Sequence, residues 1–209
     1  MSAQDSGPGS TEPVVRGAAG RRATGLVEVF VADEQDAVVI DTDRWLRLAV
    51  AVLAAEGVGE DVEMSLLFVD EPSIAALNER FMGKDGPTDV LSFPIDEEAT
   101  PSARIAVGAN GPVDLMGEDD DDDDVPMMLG DVLICPAVAA SNAPEHKGEL
   151  HDGSLDDELA LLVVHGILHL VGMDHVDDAE AERMEARERE LLRQFHRDAS
   201  VSNSEERTR

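Results

Sequence analysis

Three histidines within eleven residues restrict what this chain can fold into more than any other feature. The segment is His165-Gly-Ile-Leu-His169-Leu-Val-Gly172-Met-Asp174-His175, and it holds half of the six histidines in a chain of 209 residues. His165 and His169 are four apart, and an α-helix of about 3.6 residues per turn places them one above the other on one face. Gly172 follows the last periodic apolar residue, where a helix commonly ends with a residue at positive φ. The chain then has room to turn and bring His175 back towards the pair. Three imidazoles and one vacant position form the ligand set of a catalytic zinc, so the spacing predicts one Zn2+ per chain. The competing reading is a buried helix whose histidines are satisfied by backbone carbonyls. It requires a separate partner for each of three imidazoles.

A zinc protease of the His-Glu-x-x-His type has a glutamate beside the first histidine as general base. Gly166 stands there instead. The nearest carboxylate in sequence is Asp174, the weak candidate for a catalytic group. It either orients a ligand histidine and handles a proton, or caps the turn.

Apolar residues make up 43% of the chain, tyrosine is absent and Trp45 is the one tryptophan, so a core must be built from Leu, Val, Ile and Ala. A single cysteine, Cys135, excludes an internal disulfide and a cysteine-rich zinc finger; it fits a reducing cytosol and reads as a buried structural thiol. The longest nearly apolar run, Leu159 to Met173, is too short to span a bilayer, and the N-terminus has no apolar signal region. The expected location is cytoplasmic, with no membrane partner. The formal net charge is −30, so a polyanionic ligand would have to meet a confined basic patch or the metal ion itself.

Residues 1–24 are rich in Gly, Ser, Ala and Pro and are expected to be disordered, as is the tail at 198–209. Between them, 25–197 reads as one domain. Strands are expected at Leu26 to Val31, Val62 to Val69, Asp89 to Ile95 and Gly130 to Cys135. Helices are expected over Asp41 to Glu56, from Asp70 to about Phe81, over Pro136 to Asn142, from Ser154 through Val171, and over Asp177 to Phe195. Ser154 caps the histidine helix, with Asp157 three residues on as a capping-box variant. Residues of about 97–128, with ten acids against one base, Arg104, read as a disordered surface insertion. The fold class is α+β: a single domain with a small, mostly four-stranded mixed sheet, helices packed on it and the metal helix central.

At this point the chain resembles a known family. His165-Gly-x-Leu-His169-Leu-x-Gly172-x-Asp174-His175 is similar to the signature of the YbeY family of bacterial endoribonucleases and rRNA maturation factors. So are Leu77-Asn78 through Lys84-Asp85, then Pro87-Thr88-Asp89-Val90-Leu91-Ser92-Phe93-Pro94, the block Leu129-Gly130-Asp131-Val132, and the closing segment around Glu180, Met184, Glu188 and Leu192. The resemblance implies a zincin-like fold and zinc held by His165, His169 and His175. It also implies metal-dependent cleavage of single-stranded RNA, in 16S rRNA 3′-end processing and 70S ribosome quality control. Partners would be single-stranded RNA and the ribosome or its subunits. Many family members carry an arginine after the aromatic residue that is Phe81 here, and this chain has Met82. Arg80 and Lys84, which flank the same loop, are the candidates to replace it at the substrate, and Ser92 is the candidate to line the cleft over the metal. Two other functions stay open. One is a zincin-like metalloprotease, against which Gly166 counts. The other is a non-catalytic ribosome-assembly factor with structural zinc, its fourth ligand drawn from His146, His151 or an acid.

Overall fold

The computed structural model describes residues 20–23, 27–59, 62–95, 127–175 and 177–197. The disorder expected for residues 1–19, 198–209 and most of the acidic insertion lies outside the described residues. Five strands form one sheet: β1 (Gly20–Ala23), β2 (Val27–Asp33), β3 (Val62–Phe68), β4 (Val90–Pro94) and β5 (Met127–Ile134), in the order β1-β2-β3-β5-β4. The neighbours β2, β3 and β5 run parallel, and β1 and β4 pair antiparallel at the two edges. The four expected strands are all present. The fifth, β1, corrects the expectation that 1–24 stands wholly outside the folded unit, because Gly20–Ala23 pairs with β2 from Gly20↔Val31 to Ala23↔Glu28. An edge ladder is held by backbone hydrogen bonds, so a segment poor in apolar residues can join it without contributing to a core.

Among the described residues, five α-helices complete the α+β domain: α1 (Thr42–Ala55), α2 (Glu71–Leu77), α3 (Pro136–Asn142), α4 (Leu155–Leu170) and α5 (Asp178–Leu192). Asp41, Asp70, Ser154 and Asp177 cap α1, α2, α4 and α5, each side chain accepting a backbone N–H three residues on. Beyond Leu77 the chain continues as a π-helical turn, Asn78–Met82, stopped by Gly83 at φ 64°; beyond Leu192 it continues as a second, Arg193–Arg197. Helices α1 and α4 cover one face of the sheet, where Trp45, Leu53 and Ile167 share a core with Val29, Leu66 and Val132, and α5 packs on α4 and adds Leu191 to that core. On the other face Ile74 of α2 packs with Leu91, Leu133 and Cys135. Burial pushes the Cys135 thiol pKa up, as expected of a structural cysteine. Among the described residues no helix is long and apolar enough to cross a membrane.

Two glycines let α4 seat on the sheet. The β3–β5 register shifts between Glu63 and Met64, whose partners are Met128 and Gly130, so Leu129 is the extra residue of a β-bulge. Gly130 has φ 142°, and a Cβ there would lie 2.3 Å from the Phe93 carbonyl oxygen and 2.9 Å from Leu170 Cδ2. At Gly166 a Cβ would lie 2.5 Å from Val132 Cγ1. Gly172, by contrast, has φ 89° but open space around its Cβ position. Gly130→Ala is therefore expected to cost about 3 kcal/mol, from backbone strain and overpacking together. Gly172→Ala should cost about 1 kcal/mol, from φ alone. Urea unfolding of the metal-free variants checks the difference, and equal losses at the two positions would contradict it.

Candidate metal centre

The C-terminal end of α4 builds the site. The Gly172 N–H donates to the His169 carbonyl at 3.0 Å and the Met173 N–H to the Leu168 carbonyl at 2.9 Å. These two bonds, around a residue at positive φ, define a Schellman turn. The turn folds the Met173 carbonyl back under the helix end, where it accepts the His169 Nδ1–H at 3.0 Å. One turn earlier, His165 Nδ1 lies 2.6 Å from Oε1 of Glu188, which α5 carries in from the side. Both Nδ1 protons are thus held by acceptors, which leaves each Nε2 with its lone pair free. The two Nε2 atoms lie 3.1 Å apart. His175, on the exposed segment after the turn, completes the group, with ring centroids 5.8 Å from His165 and 5.1 Å from His169.

Among the described residues, His165, His169 and His175 form the group able to hold a metal ion, with ligand atoms all within 4.8 Å of one another. A tetrahedral site with metal–nitrogen bonds of about 2.0–2.1 Å puts adjacent nitrogens roughly 3.3 Å apart, close to the His165–His169 spacing. The donor set fits a divalent cation. Burial, with the neighbouring His165 and His175 rings, holds the His169 pKa below the usual histidine value, so this imidazole stays neutral, as a ligand must be.

Other sequence candidates fall in different places. Asp174 is exposed, and its Oδ1 accepts the His175 backbone N–H at 2.7 Å. The Ser92 hydroxyl faces α4, with Oγ 3.2 Å from where a Gly166 Cβ would stand. Arg80 is exposed and lays its guanidinium over the Phe81 ring, 4.9 Å from the centroid; Phe81 in turn meets Phe93 edge-on at 5.2 Å. Lys84 is exposed on the loop after Gly83. His146 and His151 do not supply a fourth ligand. Each places a ring nitrogen 2.9 Å from the fully buried Glu158 carboxylate, near the opposite end of α4. Thr88 and Asp89 form local turn bonds, with Asp89 also accepting from the Asn142 amide at 3.0 Å.

The residue the motif did not reveal is Glu188. It orients His165, and its carboxylate is only 12% exposed. A signal for it exists: Glu188 is four residues from Met184 and from Leu192, so it is an acid on the inward stripe of an amphipathic helix.

Fold and site together define an α+β domain that presents a three-imidazole group able to hold a metal at the C-terminal end of one buried helix. Residues 30–196 match the family described as Endoribonuclease YbeY. The Endoribonuclease YbeY of Acidothermus cellulolyticus is 41% identical over 181 residues, which cover 87% of this chain and 99% of that one. That of Thermobifida fusca is 41% identical over 171 residues, covering 82% and 96%. The solution structure of TM1509 from Thermotoga maritima shares the fold with a TM-score of 0.50 and 24% identity, over 85% of this chain and 95% of that one. The chain belongs to the YbeY family.

Removing the Glu188 charge by Glu188→Gln should weaken metal binding about 10- to 100-fold with the helical circular dichroism unchanged. Competition against a chromophoric chelator measures it, and wild-type affinity in the variant would argue against the orienting role. The lowered His169 pKa has a consequence for acid stability. The unfolded chain takes up a proton at this histidine near pH 6.5, while the folded chain takes it up only at lower pH. The stability of the metal-free protein should therefore fall as pH drops below about 6.5. His169→Gln should make that fall shallower in thermal melts across pH 7 to 5.

Proposed function

We propose that this protein is a zinc-dependent, single-strand-specific endoribonuclease of the cytoplasm, acting on the ribosome or its subunits in 16S rRNA 3′-end maturation and ribosome quality control. The observation that carries the reading is the convergence of three imidazoles with ligand atoms within 4.8 Å, in a chain of the YbeY family. When bound, a divalent metal supplies Lewis acidity at a phosphoryl oxygen and lowers the pKa of a water it coordinates towards about 7. The chain's own residues do the rest. His165, His169 and His175 bind. Glu188 and the Met173 carbonyl hold the Nδ1 protons, so that both Nε2 lone pairs stay directed at the metal position. The cation also offsets phosphate charge in a molecule whose net charge is −30. Arg80, stacked on exposed Phe81, and Lys84 are the exposed cations in the segment that resembles the family's RNA-facing loop.

Peptide hydrolysis by the His-Glu-x-x-His route is disfavoured by packing. The position of its glutamate is Gly166, where even a Cβ would stand 2.5 Å from Val132. Zinc-loaded protein should cut single-stranded rRNA fragments, leave the matching duplex intact and leave unstructured peptides intact. Chelation and His169→Ala should each abolish RNA cleavage. Activity that survives both treatments would sink this reading.

A further inference from the structure

Helix α5 runs antiparallel to α4, and two polar contacts tie the pair. Near the C-terminal end of α4, His165 Nδ1 meets Glu188 Oε1 at 2.6 Å. Near its N-terminal end, Asp157 Oδ1 meets His196 Nε2 at 2.8 Å. Eight residues separate the contacts on each strand of this ladder, about 12 Å of helix. His196 is 6% exposed and Asp157 7%. Asp157 is itself anchored: its Oδ2 accepts the Asp152 N–H at 2.7 Å and its own N–H donates to Ser154 Oγ. The capping box expected at Ser154 is thus opened out, since the N3 carboxylate serves the loop and His196 rather than the Ser154 N–H, which Asp152 takes.

The π-helical turn matters here. A straight α-helical continuation would carry position 196 about 80° round the helix from position 188. The i→i+5 turn at Arg193–Arg197 winds less per residue and brings His196 back towards α4. Between the two contacts, buried Leu191 and Leu192 pack against the core; just before Glu188, Arg187 donates to Glu56 Oε1 at 2.7 Å and to the Ala55 carbonyl at 3.2 Å. Apolar packing tolerates a small axial slide, but a 2.6 Å hydrogen bond does not.

We infer that His196 and Asp157 are positioning residues for the metal centre: they set the register of α5 on α4, and so deliver Glu188 to His165. This rests on His165 being a metal ligand and not on the reaction catalysed. Zinc titration of the full chain against a chromophoric chelator tests it without RNA. His196→Ala should weaken zinc binding about tenfold, within the range set by loss of an orienting carboxylate. Combined with Glu188→Gln it should add nothing, because register has no effect once the carboxylate is gone. His196→Gln, whose amide N–H can still reach Asp157, should retain affinity. The downfield His165 Nδ1–H resonance of the metal-free protein should broaden or shift in His196→Ala and persist in His196→Gln. If alanine prevents folding, His196→Leu keeps the packing, removes the same N–H and permits the same comparison. Wild-type affinity in a folded His196→Ala or His196→Leu, or a loss fully additive with Glu188→Gln, would overturn the inference. A wild-type chain that binds no zinc would overturn this inference and the metal reading together.

Discussion

The close approach of α4 to the sheet is the contact on which the rest of the structure depends. Gly166 lies over Val132, and Leu170 lies over Gly130, each at a distance that a Cβ would close to under 3 Å. A helix that packs this tightly holds its C-terminal half fixed relative to β4 and β5. That is the half that carries His165 and His169 and ends in the Schellman turn. The Gly130 bulge and the helix glycine are therefore parts of one arrangement, although 36 positions separate them in the numbering. A rigid ligand pair follows from main-chain proximity rather than from any strong interaction of the ligands themselves.

The second theme is how α4 gathers ionisable groups. All six histidines of the chain lie on this helix, directly after it, or against one of its acids. His165 and His169 are on it and His175 follows it. His146 and His151 meet Glu158, and His196 meets Asp157. At the N-terminal end, buried carboxylates are satisfied by imidazole and backbone donors, and the helix dipole favours them there. At the C-terminal end, burial lowers the His169 pKa, which favours cation binding over protonation there. One buried helix thus has an acid-rich end that is structural and an imidazole-rich end with donor atoms left over.

Much of this was legible in the residues. The i, i+4 histidine pair, the glycine stop and the near-continuous apolar character of the segment identified a buried helix with a metal-binding end, since these depend on helix geometry alone. Alternating and short apolar runs located the four main strands to within a few residues. Capping residues located the starts of the helices, because a cap is a bond between neighbours in sequence. Other features were not legible. β1 is held by its partner's backbone, so composition argued against it. The two π-helical turns continue an α-helical pattern and differ only in the spacing of hydrogen bonds. Asp174 had two roles open to it in sequence, and the bond it makes to the His175 N–H was not legible there.

The sequence by itself determined which side chains could hold a metal and that no glutamate stands beside the first of them, because both are matters of local spacing in one short segment. Only the tertiary structure decided which groups hold those side chains in place. Glu188 reaches His165 from 23 residues away, and His196 reaches Asp157 from 39. Such partners are chosen by how α5 lies across α4, and that follows from the shape of the packed core rather than from any local periodicity.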